Sequence, residues 1–353
     1  MRLISVEFDR DNVTYYAGEF VSGTMILELE KKTNCRSVTA SLGWYAHGAG
    51  NDAATIVETL TVHSGELEPG VYRFPFRFNL PPGPYTYHGH YLNVDWYVEG
   101  TADVPWATDP KGDEDFILLP SRDVRPPDPE LPAHTEATDT GMAGIIVGAG
   151  IAALSVLCGL YGIVEEEDFG MACCAAIGLI IAAVALYYGF HRFLATRLVG
   201  DVRFGAEPWP VHPNDTFTHT ITFTPKRKML VNAITATLVG KEEVVEGHGS
   251  DRTTHTNVLF EQSVEVASNG TLEGKQEVTF RAAFTIPDGP FYTISATDNT
   301  LSWEVTTHID IPNWPDWEDK HQVVVTPDYS RAGSPSDHGG SNGGGSNDGG
   351  SAW

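Results

Sequence analysis

Residues 72–85 read Tyr-Arg-Phe-Pro-Phe-Arg-Phe-Asn-Leu-Pro-Pro-Gly-Pro-Tyr, a pattern that indicates a β-rich protein. Large apolar side chains recur at every second position from residue 72 to residue 80, which is the period of a β-strand with one buried face. The Pro-Pro-Gly-Pro cluster then ends the strand in a turn. From residue 92 to residue 104 apolar residues alternate again, with Trp96 in the buried phase. The stretch predicts antiparallel strands that share one core.

The same plan recurs about 200 residues later in the chain. Gly289 stands 206 residues after Gly83, and Trp303 stands 207 after Trp96. Residues 233–238 resemble residues 37–42, which are 196 positions earlier, so the second copy carries about ten extra residues, which we place in the polar stretch 241–257. Short alternating strands broken by Gly, Pro, Asn and Asp are typical of β-sandwiches. We therefore predict one sandwich over residues 1–121 and a second over residues 198–328.

Two long apolar runs lie between the copies. Residues 142–164 and 169–190 contain no charged residue, and the four residues that separate them, 165–168, are all acidic. Each run is long enough, as a helix, to cross a bilayer core of about 30 Å. The sequence predicts transmembrane helices over 141–164 and 169–190, joined by an acidic tip. A Pro- and acid-rich linker, residues 122–140, leads into the first helix.

The distribution of cations predicts how the hairpin is oriented. His191, Arg192 and Arg197 follow the second run, Arg122 and Arg125 precede the first, and the tip has no Lys or Arg. Cytoplasmic ends of membrane helices are enriched in Lys and Arg. We therefore predict that both large domains are cytoplasmic. The alternative is a pair of buried helices in a soluble protein.

The overall charge and the absence of catalytic motifs limit the possible functions. The chain has 22 Lys and Arg against 47 Asp and Glu, a formal charge of −25, which argues against nucleic-acid binding because phosphates require clustered cations. A solvated acidic surface and adaptation to a salty habitat both explain this charge. His88 and His90 could supply two metal ligands, but no third ligand is evident. We predict no cofactor, no metal, no small-molecule substrate and no catalysis. The first eleven residues show no signal-peptide core, and residues 329–353 predict a flexible tail.

Three motifs in the first copy resemble a known superfamily. They are Tyr-Ala-Gly-Glu-Phe-Val-Ser-Gly at 16–23, Leu-Pro-Pro-Gly-Pro-Tyr-Thr-Tyr-His-Gly at 80–89 and Val-Asp-Trp-Tyr-Val-Glu-Gly at 94–100. In this order they resemble arrestin-like proteins, which include alpha-arrestins, the arrestin-fold retromer subunit and bacterial sporulation-control proteins. The resemblance implies a mainly β fold of two tandem immunoglobulin-like antiparallel sandwiches, and an adaptor that binds other proteins.

The second copy and the hairpin depart from that superfamily. Pro-Asn-Asp at 213–215 replaces the Gly-Glu start, and the hairpin occupies the place of a short soluble linker. The rotation between the two lobes that is usual in arrestins is therefore not predicted for this chain. No phosphate-sensing charged core can be assigned.

Two basic loops stand at matching places in the copies of this acidic chain. They contain Lys31, Lys32 and Arg36 in the first copy and Lys226, Arg227 and Lys228 in the second. We predict that these six residues contact anionic lipid head groups. The alternative is a solvated hairpin turn in each copy.

The leading functional hypothesis is a membrane-anchored scaffold that binds other proteins, which the sequence does not name. A partner strand could add to an exposed sheet edge, and the acidic faces would favour basic partners. One alternative is an accessory subunit of an integral membrane complex, and another is a hydrolase with a site between the two sandwiches.

Overall fold

The computed structural model describes residues 2–106, 108–126, 131–137, 141–164 and 169–333. It contains two β-rich lobes, which we call the N-lobe (residues 2–121) and the C-lobe (residues 202–325), and two helices that lie between them in sequence. The mainly β architecture predicted from the alternating apolar pattern is confirmed. The acidic tip, 165–168, and the tail from residue 334 onward lie outside the described residues.

The N-lobe is a sandwich of two sheets. Its described strands are β1 Arg2–Phe8, β2 Thr14–Tyr16, β3 Phe20–Leu29, β4 Thr33–Gly48, β5 Ala53–Leu67, β6 Gly70–Asn79, β7 Tyr87–His88, β8 Leu92–Asp103 and β9 Lys111–Leu119. One sheet has the order β1-β3-β6, and the other has the order β2-β9-β8-β4-β5 with β7 beside β8. The pairings are antiparallel except that of β2 with β9, which is parallel.

The core of the N-lobe follows the period-two pattern of its strands. In β8 every second residue, beginning with Leu92, is buried and the residues between them are half-buried. Trp96 is fully buried, and its Nε1–H donates to the carbonyl of Pro84 at 2.7 Å. A buried indole requires such a partner. The bond therefore ties the Pro-Gly-Pro turn to the centre of the core.

A short strand and two helices connect the lobes in sequence: β10 His134–Glu136, α1 Gly141–Val164 and α2 Phe169–Val199. β10 lies within the predicted linker and pairs with the first strand of the C-lobe. α2 continues beyond the predicted end at residue 190, because nothing from His191 to Val199 breaks a helix. It ends where Gly200 adopts φ +88°, the left-handed conformation that commonly terminates helices.

The two helices pack closely against each other as an antiparallel hairpin. A Cβ added to Gly189 would lie 2.7 Å from the backbone of Ile145, and one added to Gly178 would lie 2.2 Å from Oγ of Ser155. Glycine is needed at these positions because the helices approach too closely for a side chain. The small residues of the apolar runs therefore serve the packing of the hairpin itself.

The C-lobe repeats the sandwich plan. Its described strands are β11 Val202–Glu207, β12 Thr216–Phe223, β13 Met229–Glu246, β14 Thr253–Leu272, β15 Val278–Thr285, β16 Ile294–Ala296, β17 Asn299–Asp310 and β18 Trp317–Val323, with a 3-10 helix at Gly249–Asp251. One sheet has the order β10-β11-β12-β15, and the other has the order β14-β13-β17-β16 with β18 beside β17.

Equivalent positions of the two copies make equivalent contacts. Trp303 is 1% exposed, and its Nε1–H donates to the carbonyl of Phe291 at 2.9 Å, as Trp96 does to Pro84. After β17 the Ile311 N–H donates to the Asp316 carboxylate at 3.1 Å, and after β8 the Val104 N–H donates to Asp109 at 2.9 Å. The sequence repeat is thus accompanied by a repeat of the same side-chain hydrogen bonds in both lobes.

The segment after the C-lobe returns to the N-lobe. Tyr329, where the predicted tail begins, is buried in the N-lobe core, and the Arg122 N–H donates to the carbonyl of Gly333 at 3.1 Å. Residues 329–333 are therefore ordered against the N-lobe, because an aromatic side chain at the start of the segment finds apolar neighbours.

Candidate functional site: the lobe junction and the helical hairpin

A buried carboxylate joins the two lobes. Glu242 on β13 is fully buried and accepts hydrogen bonds from the Tyr87 hydroxyl at 2.5 Å and from the Tyr91 N–H at 3.0 Å. The His90 N–H lies 3.1 Å from the same carboxylate, and Asn257 adds a donor from the C-lobe. A buried carboxyl group is tolerated only when its oxygen atoms are hydrogen-bonded in this way. Burial and this carboxylate raise the pKa of Tyr87 far above its ordinary value.

A second polar cluster surrounds Asn51, in the turn between β4 and β5. Its amide donates to the carbonyl of Gly247 and to Asp298, both at 3.0 Å, and its Oδ1 accepts from the Gly247 N–H. The Asn299 amide donates to the Asn51 carbonyl at 2.7 Å. The turns that end the same strands in each copy therefore meet, so the lobes are joined end to end.

The proline-rich turns of the two copies also meet at the junction. Tyr85 and Tyr292 pack edge to face, with ring centroids 5.9 Å apart, beside a cavity of about 190 Å³ lined mainly by Pro and Tyr residues. Burial raises the pKa of both phenols, and of Tyr329 beside them. Apolar residues of the N-lobe, Leu92 and Val94 among them, continue into the core of the C-lobe. The junction is thus built like a protein interior.

The hairpin exposes an apolar surface. Its exposed large apolar side chains on the two helices include Ile146, Leu154, Leu157, Ile180 and Ile181. The segment Cys174–Val199 is long and apolar enough to cross a membrane, and 17% of its most apolar window is buried within the protein. In α1 the corresponding apolar segment among the described residues, Met142–Cys158, is shorter than a candidate membrane span. One such helix is weak evidence for a membrane span, and the two-span hairpin predicted from the sequence is not confirmed.

The last turns of α2 are fixed to the C-lobe. Arg192 donates to the carbonyl of Glu318 at 2.9 Å and lies 3.5 Å from the carboxylate of Asp319. The Trp314 Nε1–H donates to the carbonyl of Leu194 at 3.3 Å. A helix that enters a lobe through such contacts sets the direction in which that lobe faces.

The structure separates the two predicted basic loops. Lys226, Arg227 and Lys228 lie beside the end of α2, where the Lys226 N–H donates to the carbonyl of Leu198 at 3.0 Å. The other three residues lie at the opposite end of β4 from the junction. Because β4 and β13 have 16 and 18 residues, each loop is roughly 50–60 Å from the junction along its strand, at opposite ends of the two lobes.

Most of the cations in these loops form surface ion pairs. Their partners are Glu66 and Glu68 for Lys32, Asp103 for Arg36, Asp201 for Lys226 and Glu273 for Lys228. Arg227 lies over the ring of Trp314 at 4.8 Å, and Lys31 is exposed. Exposed ion pairs contribute little to stability, and the paired carboxylates offset part of the positive charge of both loops.

The described residues contain no group of three or more His, Cys, Asp or Glu side chains arranged to hold a metal ion. Nε2 of His88, one of the two residues considered as a ligand, lies 2.7 Å from Asp95. At the junction, where the hydrolase alternative requires free titratable groups, Glu242 and Tyr87 are hydrogen-bonded to each other and Asp298 pairs with Arg252. The described junction thus resembles a structural contact more than a reactive site.

Sequence reasoning missed two fully buried polar side chains. Glu242 stands in the buried phase of β13, between Leu238 and Val244, and His219 stands in the buried phase of β12, between Phe217 and Ile221. A polar residue in the apolar phase of a strand was a visible signal. For Glu242 this signal conflicts with the polar composition of residues 241–257, which predicts a solvated insertion.

Comparison with known families agrees with this architecture. Residues 51–125 match the family model described as "Arrestin (or S-antigen), N-terminal domain". No curated protein matches the chain. The match spans strands β5 to β9 and supports the resemblance to the arrestin-like superfamily. Proteins with this domain are in general non-catalytic adaptors or scaffolds that bind other proteins.

Proposed function

We propose that this protein is a membrane-anchored, non-catalytic scaffold, with the α1–α2 hairpin in the bilayer and both lobes on the cytoplasmic side. The observation that supports the anchor is the apolar outer surface of the hairpin, on which Leu154, Leu157 and Ile180 are each more than 60% exposed. Burial of such a surface in lipid removes a large unfavourable contact with water. Exposed apolar patches of this size mark membrane or protein interfaces.

The charge at the base of the hairpin supports the cytoplasmic orientation. His191, Arg192 and Arg197 follow the apolar part of α2, and the tip carries only acids. Cations near helix ends favour the cytoplasmic face. α2 then continues for about two turns into the C-lobe, and Arg192 and Trp314 fix that joint. The hairpin would therefore set the orientation of the C-lobe as well as its location.

The test uses the full chain in cells, with its four native cysteines changed to Ala and one cysteine added to report on which side of the membrane each part lies. Ser64→Cys reports on the exposed surface of the N-lobe and Asp168→Cys on the tip. We expect the protein to stay in the membrane fraction after alkaline extraction. A membrane-impermeant maleimide added outside the cells should label the tip and not the N-lobe. Release into the soluble fraction would contradict the anchor, and labelling of both positions from one side would contradict the orientation.

The exposed hairpin surface equally suits the alternative of an accessory subunit, whose helices pack against those of a membrane complex. Replacing residues 141–190 with an unrelated apolar hairpin of equal length separates the two functions. A scaffold should retain its soluble partners after this exchange, whereas a subunit should lose its assembly. The native hairpin with Gly178→Leu serves as a control for damage to packing within the hairpin.

A further inference from the structure

The last strand of the larger N-lobe sheet has an open edge. β5 pairs only with β4 and ends the sheet order. Eight consecutive residues, 54–61, are exposed on both faces of the strand. Among the described residues, none of the backbone hydrogen bonds outside this pairing involves residues 54–61. The outward row of N–H and C=O groups is therefore available to a further strand.

This edge has little of the protection that edge strands usually carry. Edges are commonly blocked by charged side chains, Pro, β-bulges or short length. One register shift against β4 leaves Val57 outside the pairing within residues 54–61. β6, an edge of the smaller N-lobe sheet, contains Arg73, Pro75 and Arg77. β5 is 15 residues long, has no Lys, Arg or Pro, and exposes Ile56 and Leu60 by 50% and 40%. β5 is thus suited to pairing with a strand of another protein, and β6 is not.

A groove lies between the lobes at the start of β5. It has a volume of about 740 Å³, and its lining residues include Trp44, Asp52, Ala53 and Thr55 of the N-lobe and Ser295 and Thr297 of the C-lobe. A strand added to β5 would lead directly to this groove. The two features together form one continuous surface that includes both lobes.

The charge of this region selects between possible occupants. The outer face of the same sheet carries Asp95, Glu99, Asp113 and Asp115, and burial and the neighbouring carboxylates raise the pKa of Asp115. β5 itself carries Glu58 and Glu66. A second copy of this chain would bring an equal charge of −25 to the edge. Repulsion between like charges therefore opposes pairing of β5 with a second copy of the chain. The negative potential of the acidic side chains attracts a cationic segment instead.

We propose that β5 accepts an extended, lysine- or arginine-rich segment of a partner protein as an added strand, whose end enters the groove beside Trp44. The proposal rests on the scaffold function and names the chemistry of its partner. The eight exposed residues span about 26 Å, and main-chain bonds along this length supply affinity. Ile56 and Glu58 pair with adjacent residues of β4 and therefore lie on opposite faces of β5. Apolar side chains of the partner cover Ile56 on one face, and a cation on the other face pairs with Glu58.

The test uses the full chain in detergent micelles and a capped ten-residue peptide of alternating Lys and Val as the probe. One control peptide replaces every Lys with Glu, and another carries a methyl group on every backbone nitrogen. We expect binding of the first peptide only, together with slowed amide hydrogen exchange over residues 54–61. Equal binding of the methylated peptide would overturn strand addition, because that peptide cannot donate to the edge.

Matched charge reversals locate the site. Glu58→Lys on β5 should weaken binding of the Lys-Val peptide by roughly threefold to tenfold, because it opposes a cation across the strands. Glu261→Lys on β14, the corresponding edge strand of the C-lobe, should change binding by less than about twofold, because much of β14 alternates between exposed and half-buried residues and β14 does not line the groove. Both side chains are exposed, so both variants should fold. Equal effects of the two reversals would contradict the location.

Self-association is the remaining outcome. If the full chain forms dimers that Ile56→Lys abolishes, the edge is occupied by a second copy and the basic partner is wrong. Neither result depends on the membrane fractionation described above. Loss of peptide binding with retention in the membrane would overturn this inference alone, whereas a soluble protein that binds the peptide would overturn only the anchor.

Discussion

The N-lobe and the C-lobe share one core plan but differ in what their outer surfaces contact. In each lobe a buried Trp binds the carbonyl of its proline-rich turn, at 2.7 Å for Trp96 and 2.9 Å for Trp303. The far end of the C-lobe is fixed to α2 through Trp314 and Arg192. The far end of the N-lobe has no such contact among the described residues. The shared residues set the fold, and the differing ones set the attachments of each lobe.

The turn at the far end of each lobe illustrates the difference. Trp106 and Asn313 occupy equivalent positions, 207 residues apart, with φ of 61° and 60°. Asn tolerates this left-handed conformation well, whereas a bulky residue there is strained. Trp106 is fully exposed, while Trp314 next to Asn313 packs on the helix. The N-lobe thus keeps an aromatic side chain in solvent at a position whose counterpart in the C-lobe lies beside a helix.

The strongest test of the shared core is removal of the two tryptophans. Trp96→Ala and Trp303→Ala should each cost about 3–5 kcal/mol of unfolding free energy, because each leaves a large cavity and an unpaired carbonyl. Urea unfolding of the full chain, followed by lobe-resolved hydrogen exchange, measures the two costs. We expect values within about 1 kcal/mol of each other. Trp106→Ala is the matched control and should be nearly neutral, since its side chain is exposed. A large difference between the core variants would show that the copies are not energetically equivalent.

The next largest effect tests how firmly the lobes are joined. Glu242→Ala leaves the Tyr87 hydroxyl and two backbone N–H groups without their acceptor, which should cost about 3 kcal/mol. Amide exchange at residues 88–92 and 296–299 should rise together if the junction opens. Glu246→Ala on the same strand removes only an exposed pair with His255 and serves as the control. Faster exchange with the control variant alone would contradict this role of Glu242.

The strands were predictable from the sequence, and the contacts between lobes were not. Alternation from residue 72 to residue 104 depends on local burial, so β6 and β8 could be predicted without a tertiary model. Period and spacing do not show which strand ends face each other. The end-to-end joint through Asn51 and Glu242 was therefore missed, and with it the separation of the two basic loops. The sequence prediction ended α2 at residue 190, where the apolar run ends. The residues that follow still favour a helix, and α2 continues to Val199.

A buried histidine pair should make the C-lobe sensitive to acid. His219 and His321 are fully buried, with Nδ1 atoms 3.4 Å apart. Burial and the neighbouring His321 lower the pKa of His219 to about 3, and burial and His134 lower the pKa of His321 to about 4. Unfolded histidines bind protons near pH 6.5, so between about pH 4 and 6.5 the unfolded state binds more protons. Stability is then fully present above pH 6.5 and falls as the pH falls.

The expected loss at pH 5 is about 2 kcal/mol for each of these histidines. His321→Phe should remove about half of the pH dependence, because a phenyl ring can keep the stacking on Phe204. Lobe-resolved hydrogen exchange between pH 5 and 8 measures the effect. Every described histidine of the N-lobe is at least partly exposed, so the N-lobe should lose less stability over this range. Equal acid sensitivity of the two lobes would contradict this account.

The smallest expected effect concerns the basic loops, and it tests the difference between the far ends of the lobes. Changing Lys226, Arg227 and Lys228 to Gln should weaken contact of the C-lobe with anionic head groups, because this loop is attached to the end of α2. Free cations contribute about 1 kcal/mol each near an anionic surface, and existing ion pairs reduce the total to about 1 kcal/mol. Energy transfer from a dye on the C-lobe to labelled anionic lipid in nanodiscs measures the contact. The matched change of Lys31, Lys32 and Arg36 should leave the transfer unaltered, because their loop lies beyond the junction at the opposite end. An equal fall in both variants would mean that the lobes bend toward the bilayer together, and the end-to-end junction would then have to open.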